Sequence, residues 1–288
     1  EIYQCDWSSD VCSSDLLIEG NGRSFVMRPG KWREGVEQAV EVGQHLPPSS
    51  DRVPAFMDYF YRRYAFNPPA DGGLLAVGSG KAKRILAMAT AHHRFNWIHP
   101  FLDGNGRVSR LMSHAMAHAG GIGAHGLWSI SRGLARGLES GLEGRQEYKR
   151  YMAWADAVRQ GDRDGRGNLS LKGLEVFADW FLKVCIDQIG FMSDLFELDT
   201  LSKRIARVVA LDDELPEEAN WLIQEALVCG EFERGEARRI TGRPERSASR
   251  ILKQVVERGL LASDTPKGPV SLRFPSEMLD LLFPRLYT

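Results

Sequence analysis

From Lys81 to Trp97 the apolar residues Ile85, Met88, Ala89 and Phe95 recur near helical spacing in a window free of Gly and Pro, which predicts an amphipathic helix. Pro100 disfavours helical geometry in the residue before it, so this helix is expected to stop at or just before His99. A loop runs through Gly104 and Gly106. Val108, Leu111, Met112, Ala115 and Ala119 then mark the apolar face of a second helix, closed by Gly120 and Gly121. Upstream, Gln38 to Val42 alternates with Val40 and Val42 on one side, and Gly43 and the Pro47-Pro48 pair follow, which is a hairpin signal. Downstream, Gln146 to Arg159 and Leu171 to Phe191 read as further amphipathic helices, separated by the Gly-Asp-Arg-Asp-Gly-Arg-Gly run at 161–167.

A second pattern starts near Leu215. Pro216 suits a first helical turn and Glu217 and Glu218 favour its positive end, so a helix is expected over 217–228. Gly235 to Ile240, a turn at Thr241-Gly242 and a helix from Pro244 to Arg258 follow, the last burying Ala248, Ile251, Leu252 and Val255 and stopped by Gly259. Residues 260–274 read as two strands around Thr265 to Gly268, which makes the unit a winged helix-turn-helix. The expected fold is mainly α. Residues 1–16 stand apart, a helical domain with a small β-hairpin covers 17–200, a helical linker covers 201–214, and a C-terminal winged-helix domain covers 215–288.

The 288 residues, 43% of them apolar, suffice for one sizeable core and a second smaller one. A formal net charge of −1 argues against an overall nucleic-acid or membrane-surface binder and leaves partners to local patches. No stretch approaches the roughly 18 apolar residues that span a bilayer, and no secretory signal opens the chain, so a cytoplasmic address and no membrane partner are expected. Cys185 and Cys229 lack the paired spacing of a metal knuckle or disulfide framework and are read as buried thiols. Residues 1–16 have no hydrophobic periodicity and no initiator Met, and they resemble a translated sequencing adapter. The natural protein is expected to be longer at this end.

Residues 99–110 read His-Pro-Phe-Leu-Asp-Gly-Asn-Gly-Arg-Val-Ser-Arg. Gly104, Asn105 and Gly106 lead into a helix and offer unpaired main-chain N–H groups at the positive end of its dipole, an anion site suited to phosphate. Arg107 and Arg110, three apart, point to one side with planar, permanently charged forks, which favours a polyphosphate. Asp103 brings a hard carboxylate oxygen for Mg2+ bridging two phosphates. His99, neutral near physiological pH, is placed to take a proton from an attacking hydroxyl. The chemistry predicted is phosphoryl or nucleotidyl transfer, in which positioning and charge neutralisation dominate.

At every specified position this string matches the signature of the Fic (filamentation induced by cAMP) family, His-Pro-Phe-x-Asp/Glu-Gly-Asn-Gly-Arg-x-x-Arg, and the resemblance runs from Gly30 to roughly Val209. It implies a Fic-type helical core with His99 as general base, Asp103 as Mg2+ ligand, Gly104, Asn105 and Gly106 as anion hole, Arg107 and Arg110 on the phosphates, and Phe101 as anchor of the loop. The activity it implies is protein adenylyltransfer, with ATP as co-substrate and a hydroxyl of a target protein as acceptor. Removal of AMP at the same site, and a nucleotide-sensing DNA-binding regulator, are the alternatives. Gly30-Lys31-Trp32-Arg33 through Val42-Gly43-Gln44-His45-Leu46-Pro47-Pro48 resembles the flap that docks the target by main-chain pairing, with Val40, Val42 and Gly43 on the docking edge. Ile18-Glu19-Gly20-Asn21 resembles the end of the inhibitory motif Ser/Thr-x-x-x-Glu-Gly/Asn, whose glutamate pairs with the second arginine, here Arg110. Position 15 is Asp, so the motif's Ser/Thr and its preceding helix are lost or altered.

Residues 234–258 carry Arg234, Arg238, Arg239, Arg243, Arg246, Arg250, Lys253 and Arg258 against Glu236, Glu245 and Glu257, eight against three. That surplus makes the stretch a candidate DNA surface, with dimerisation or target docking as competing uses and a homodimer as a candidate assembly. His92 and His93 are read as a satisfied helix face, and Tyr148 and Tyr151 as core packing, with a place beside an adenine as their alternative.

Overall fold

The computed structural model describes residues 16–20, 23–27, 30–35, 38–41, 45–66, 77, 80–122, 128–165 and 167–286, the first two stretches by their main chain only. It is mostly helical, with two small antiparallel sheets, and divides into compact units covering 1–189 and 190–288.

The first unit opens with a hairpin of β1 (Leu16–Gly20) and β2 (Arg23–Met27), in which Glu19 lies opposite Ser24. Glu19 therefore sits in a strand, and this hairpin lies upstream of the one expected around Val40. Residues 38–41 form no strand, and Val42 and Gly43 lie outside the described residues. The main chain at Glu34 and Gln38 is engaged elsewhere: the Glu34 N–H donates to Gln38 Oε1 (2.7 Å), the Gln38 N–H to the Gly35 carbonyl (3.4 Å), and the Gln38 carbonyl accepts from Ser50 Oγ (3.2 Å). Those groups are then missing from any ladder.

The helices of this unit are α1 (Val53–Tyr64), α2 (Lys81–Ile98), α3 (Asn105–Ala119), α4 (Ile130–Arg136), α5 (Gly144–Asp156) and α6 (Leu171–Leu195), the last of which passes the unit boundary. α2 is the central element, burying Met88, Ala89, Ala91, His92, His93, Phe95 and Ile98. Its polar residues are satisfied: His92 meets Ser113 Oγ through Nδ1 (2.8 Å) and the Tyr148 hydroxyl through Nε2 (3.0 Å). Tyr151 stacks on Trp180 with ring centroids 4.6 Å apart, so both tyrosines pack in the core.

α3 departs from its expected face. Val108, Leu111, Ala115 and Ala119 are exposed, and the buried stripe is Asn105, Ser109, Ser113 and Ala117. The reason is close packing on α2 with small residues whose hydroxyls are satisfied within the helix. Ser109 donates to the Gly106 carbonyl (3.0 Å) and Ser113 to that of Ser109 (2.8 Å), so burying them leaves no orphaned polar group.

The second unit contains α7 (Leu198–Leu211), α8 (Glu218–Cys229), β3 (Glu231–Phe232), α9 (Ala237–Thr241), α10 (Glu245–Glu257), β4 (Leu261–Ala262), β5 (Val270–Leu272) and α11 (Leu279–Leu282). α9 and α10 form a helix-turn-helix around Gly242, whose φ of 62° is the left-handed conformation that glycine permits. α10 buries Ala248, Ile251, Leu252 and Val255, as its pattern predicts. β3, which the sequence did not signal, completes a sheet in the order β3-β5-β4. The stretch expected as a linker is largely α7, whose Leu201, Ile205, Val208 and Val209 belong to the core of this unit together with Leu222, Ile223 and Ile251. Among the described residues no helix is long and apolar enough to cross a membrane.

Candidate active site

α2 ends at Ile98, and the chain turns left-handed at His99 (φ 51°, ψ 59°), the one described non-glycine residue with positive φ. That conformation costs about 1–3 kcal/mol and persists only where the surroundings hold it. The His99 N–H still donates to the Phe95 carbonyl (3.0 Å), after which Pro100 prevents another helical turn. Gly104, at φ 82°, redirects the chain into α3.

Asn105 closes the loop between them. Its side chain is 2% exposed; Oδ1 accepts from the Phe101 N–H (3.0 Å) and Nδ2 donates to the Phe101 carbonyl (2.8 Å). Phe101 itself packs on Phe95 with centroids 6.2 Å apart. The amide of Asn105 is therefore a brace, and what this residue offers an anion is its main-chain N–H. The N–H groups of Asn105, Gly106 and Arg107 precede the first intrahelical bond of α3, from Val108 to the Gly104 carbonyl (3.0 Å), and have no partner within the helix.

Arg107 is exposed and pairs with Asp103 at 2.8 Å. Arg110 is half-buried and makes no ion pair with a described side chain; its charge instead acts on the buried His92 and Tyr148. A Cβ at Gly106 would stand 3.3 Å from Arg110 Nη1, so glycine there leaves the guanidinium its room. Burial holds the His99 ring down to about 4, reinforced by the charges of His45 and Arg33 and opposed by the Asn96 main chain and Asp103. At pH 7 the imidazole is neutral and able to accept a proton.

Asp103 is largely exposed, and among the described residues no three His, Cys, Asp or Glu side chains form a ready-made metal cage. A single accessible carboxylate beside an anion site fits Mg2+ held jointly with phosphate oxygens and water, which is how that ion is usually bound.

Two residues that sequence reasoning did not single out reach this loop from the segment at 33–50. Arg33 is 1% exposed and contacts the main chain at His99, and His45 contacts that at Trp97. His45 Nδ1 also lies 3.1 Å from Asp156 Oδ2, and His93 Nε2 donates to Asp156 Oδ1 at 2.8 Å. Burial would raise the Asp156 carboxyl, but the two histidine bonds hold it down to about 2. Burial would likewise lower His45, yet its bond to Asp156 leaves it raised. These contacts join residues far apart in sequence, and no local spacing announces them.

Residues 12–117 match the model of the Fic/DOC family. A protein adenylyltransferase Fic of Culex quinquefasciatus is 35% identical over 77 residues, 27% of this chain and 13% of that protein. The Drosophila melanogaster protein of the same name is 34% identical over 77 residues, 14% of its length. The chain thus matches only a small part of these relatives. Among solved structures, a Fic family protein from Desulfovibrio desulfuricans G20 aligns with 18% identity over 87% of this chain and 65% of its own, at a TM-score of 0.39. A Fic domain containing signaling protein from Bacteroides thetaiotaomicron VPI-5482 aligns with 22% identity over 57% and 54%, at 0.36.

Proposed function

We propose that this chain transfers AMP from ATP to a hydroxyl side chain of a target protein. The observation that carries the reading is a neutral, half-buried His99 held at a strained turn and tied through the Asn105 brace to the open N-terminus of α3. The names of the matching adenylyltransferases support it. His99 takes the proton of a Ser, Thr or Tyr hydroxyl as that oxygen bonds to the α-phosphorus. The bond from the α-phosphorus to the bridging oxygen breaks, and pyrophosphate leaves. Arg107, Arg110 and the N–H groups opening α3 neutralise the phosphate charge. Mg2+, held by Asp103 with the phosphates, would add further charge neutralisation. The test is incubation with α-labelled ATP, Mg2+ and host lysate. A mass gain of one AMP on a protein is expected, whereas no label from a folded sample that binds ATP would count against transfer and in favour of AMP removal.

In this reading Glu19 restrains the site through Arg110, supported by the Ile18-Glu19-Gly20-Asn21 string and by the lack of an ion pair between Arg110 and the described side chains. Glu19→Gly should raise the labelling rate by about tenfold or more, the weight of a charge-assisted contact worth ~1.5–3 kcal/mol. An unchanged rate with unchanged ATP affinity would remove the restraint from the proposal.

A second reading, DNA binding by the 190–288 unit, is favoured by the exposed face of α10, where Arg246 and Arg250 stand four apart without an ion pair among the described residues. The sequence count of eight cations against three carboxylates overstated this surface. Asp212, Glu214, Glu218 and Glu225, outside the counted window, pair with Arg258, Arg243 and Arg239. Arg246→Ala with Arg250→Ala should weaken DNA retention and reduce its salt slope by about one for each phosphate no longer neutralised. Equal retention at every salt concentration would rule these arginines out.

A further inference from the structure

The last carbonyls of a helix lack partners inside it. At the end of α2 four successive carbonyls, those of Trp97, Ile98, His99 and Pro100, all accept from one upstream segment. Trp97 accepts from His45 Nε2 (2.9 Å), Ile98 from Arg33 Nη2 (3.2 Å), His99 from Arg33 Nε (2.8 Å) and Pro100 from the Arg33 main-chain N–H (2.9 Å). On its other side the guanidinium donates to Ser50 Oγ (2.9 Å) and to the Pro48 carbonyl.

We propose that Arg33, seconded by His45, is the positioning residue that holds His99 in its left-handed conformation and so aims the imidazole. The cation is buried, has no carboxylate partner among the described residues, and faces the negative end of the α2 dipole, which suits a positive charge. Its donors are fanned over consecutive carbonyls on both sides of the turn, an arrangement that the planar fork of arginine provides and a lysine ammonium does not. A contact serving only to join two segments would not need to straddle the strained residue. The inference rests on the reading of His99 as the base, and its test is built to fail separately from that reading.

Arg33→Lys in the full chain is the variant to make. The main-chain shifts and HN–Hα coupling of His99, which report φ, should move toward the extended range. Transfer should fall by about a hundredfold in kcat, as for a misplaced catalytic group, with ATP KM and ATP affinity within about twofold of the parent. Unchanged His99 main-chain signals in the folded variant would overturn the proposal whatever the transfer rate. If the parent chain transfers no AMP, the function assigned above falls while the main-chain readout still decides this one. Should the variant not fold, the unmodified protein is read instead: a slowly exchanging Arg33 Nε–H with through-bond coupling to the His99 carbonyl is expected, and fast exchange without coupling refutes the contact.

Discussion

Replacing His99 by Asn or Ala should lower AMP transfer by about 10²–10⁴-fold, the range for loss of a positioned general base, with ATP affinity little changed. Asn is the more informative variant because it tolerates the left-handed φ of 51° better than Ala and leaves the turn in place. Incorporation of α-labelled ATP, calorimetric ATP binding and thermal melting together check the expectation. Transfer within a few-fold of the parent would show that another group takes the proton. The pH profile sharpens the test. A base works when deprotonated, and burial holds this ring down to about 4, so the rate should stay level through the ordinary imidazole range near 6.5 and fall only at more acid pH. Half-maximal activity near 6.5 would mean that the working ring is solvated. The same depression carries a stability effect with a fixed sign. Below about 6.5 the unfolded chain protonates at His99 while the folded chain resists until about 4, so this contribution is present above the unfolded value and is lost as pH falls through that window.

Much of the site was legible because its constraints are local. Pro100 ends α2, Gly104 supplies a left-handed turn, and Asn105 and Gly106 open α3, each through the chemistry of one residue acting on its neighbours. α10 was legible for a related reason, since a sharp split between Ala248, Ile251, Leu252, Val255 and their polar neighbours admits one buried face. α3 was misread because apolarity is a proxy for burial that fails where helices approach closely. There Ser109 and Ser113 go inside with their hydroxyls satisfied, and Leu111 stays outside at 57% exposure. Arg33, His45 and Asp156 were beyond reach because their roles exist only once residues 33, 45, 99 and 156 are brought together by the fold.

Asn105→Ala should differ from the His99 variants by lowering stability and transfer together. The deleted amide leaves the Phe101 N–H and carbonyl without partners in a partly buried loop, and at about 1–3 kcal/mol per orphaned group the loss is about 2–6 kcal/mol. Transfer should fall by roughly a hundredfold as well, because the brace holds the loop between His99 and the N-terminus of α3, the two parts assigned to proton transfer and phosphate binding in the proposed reaction. Asn105→Asp separates the two halves of the brace: the remaining oxygens still accept from the Phe101 N–H, the donor to the Phe101 carbonyl is gone, and the loss should be intermediate in both melting and rate. If Asn105→Ala melted like the parent and transferred at the parental rate, the loop would be held by Pro100, Phe101 and the segment at 33–50 alone. If it lost stability but kept its rate, the brace would serve the fold without setting the geometry of transfer.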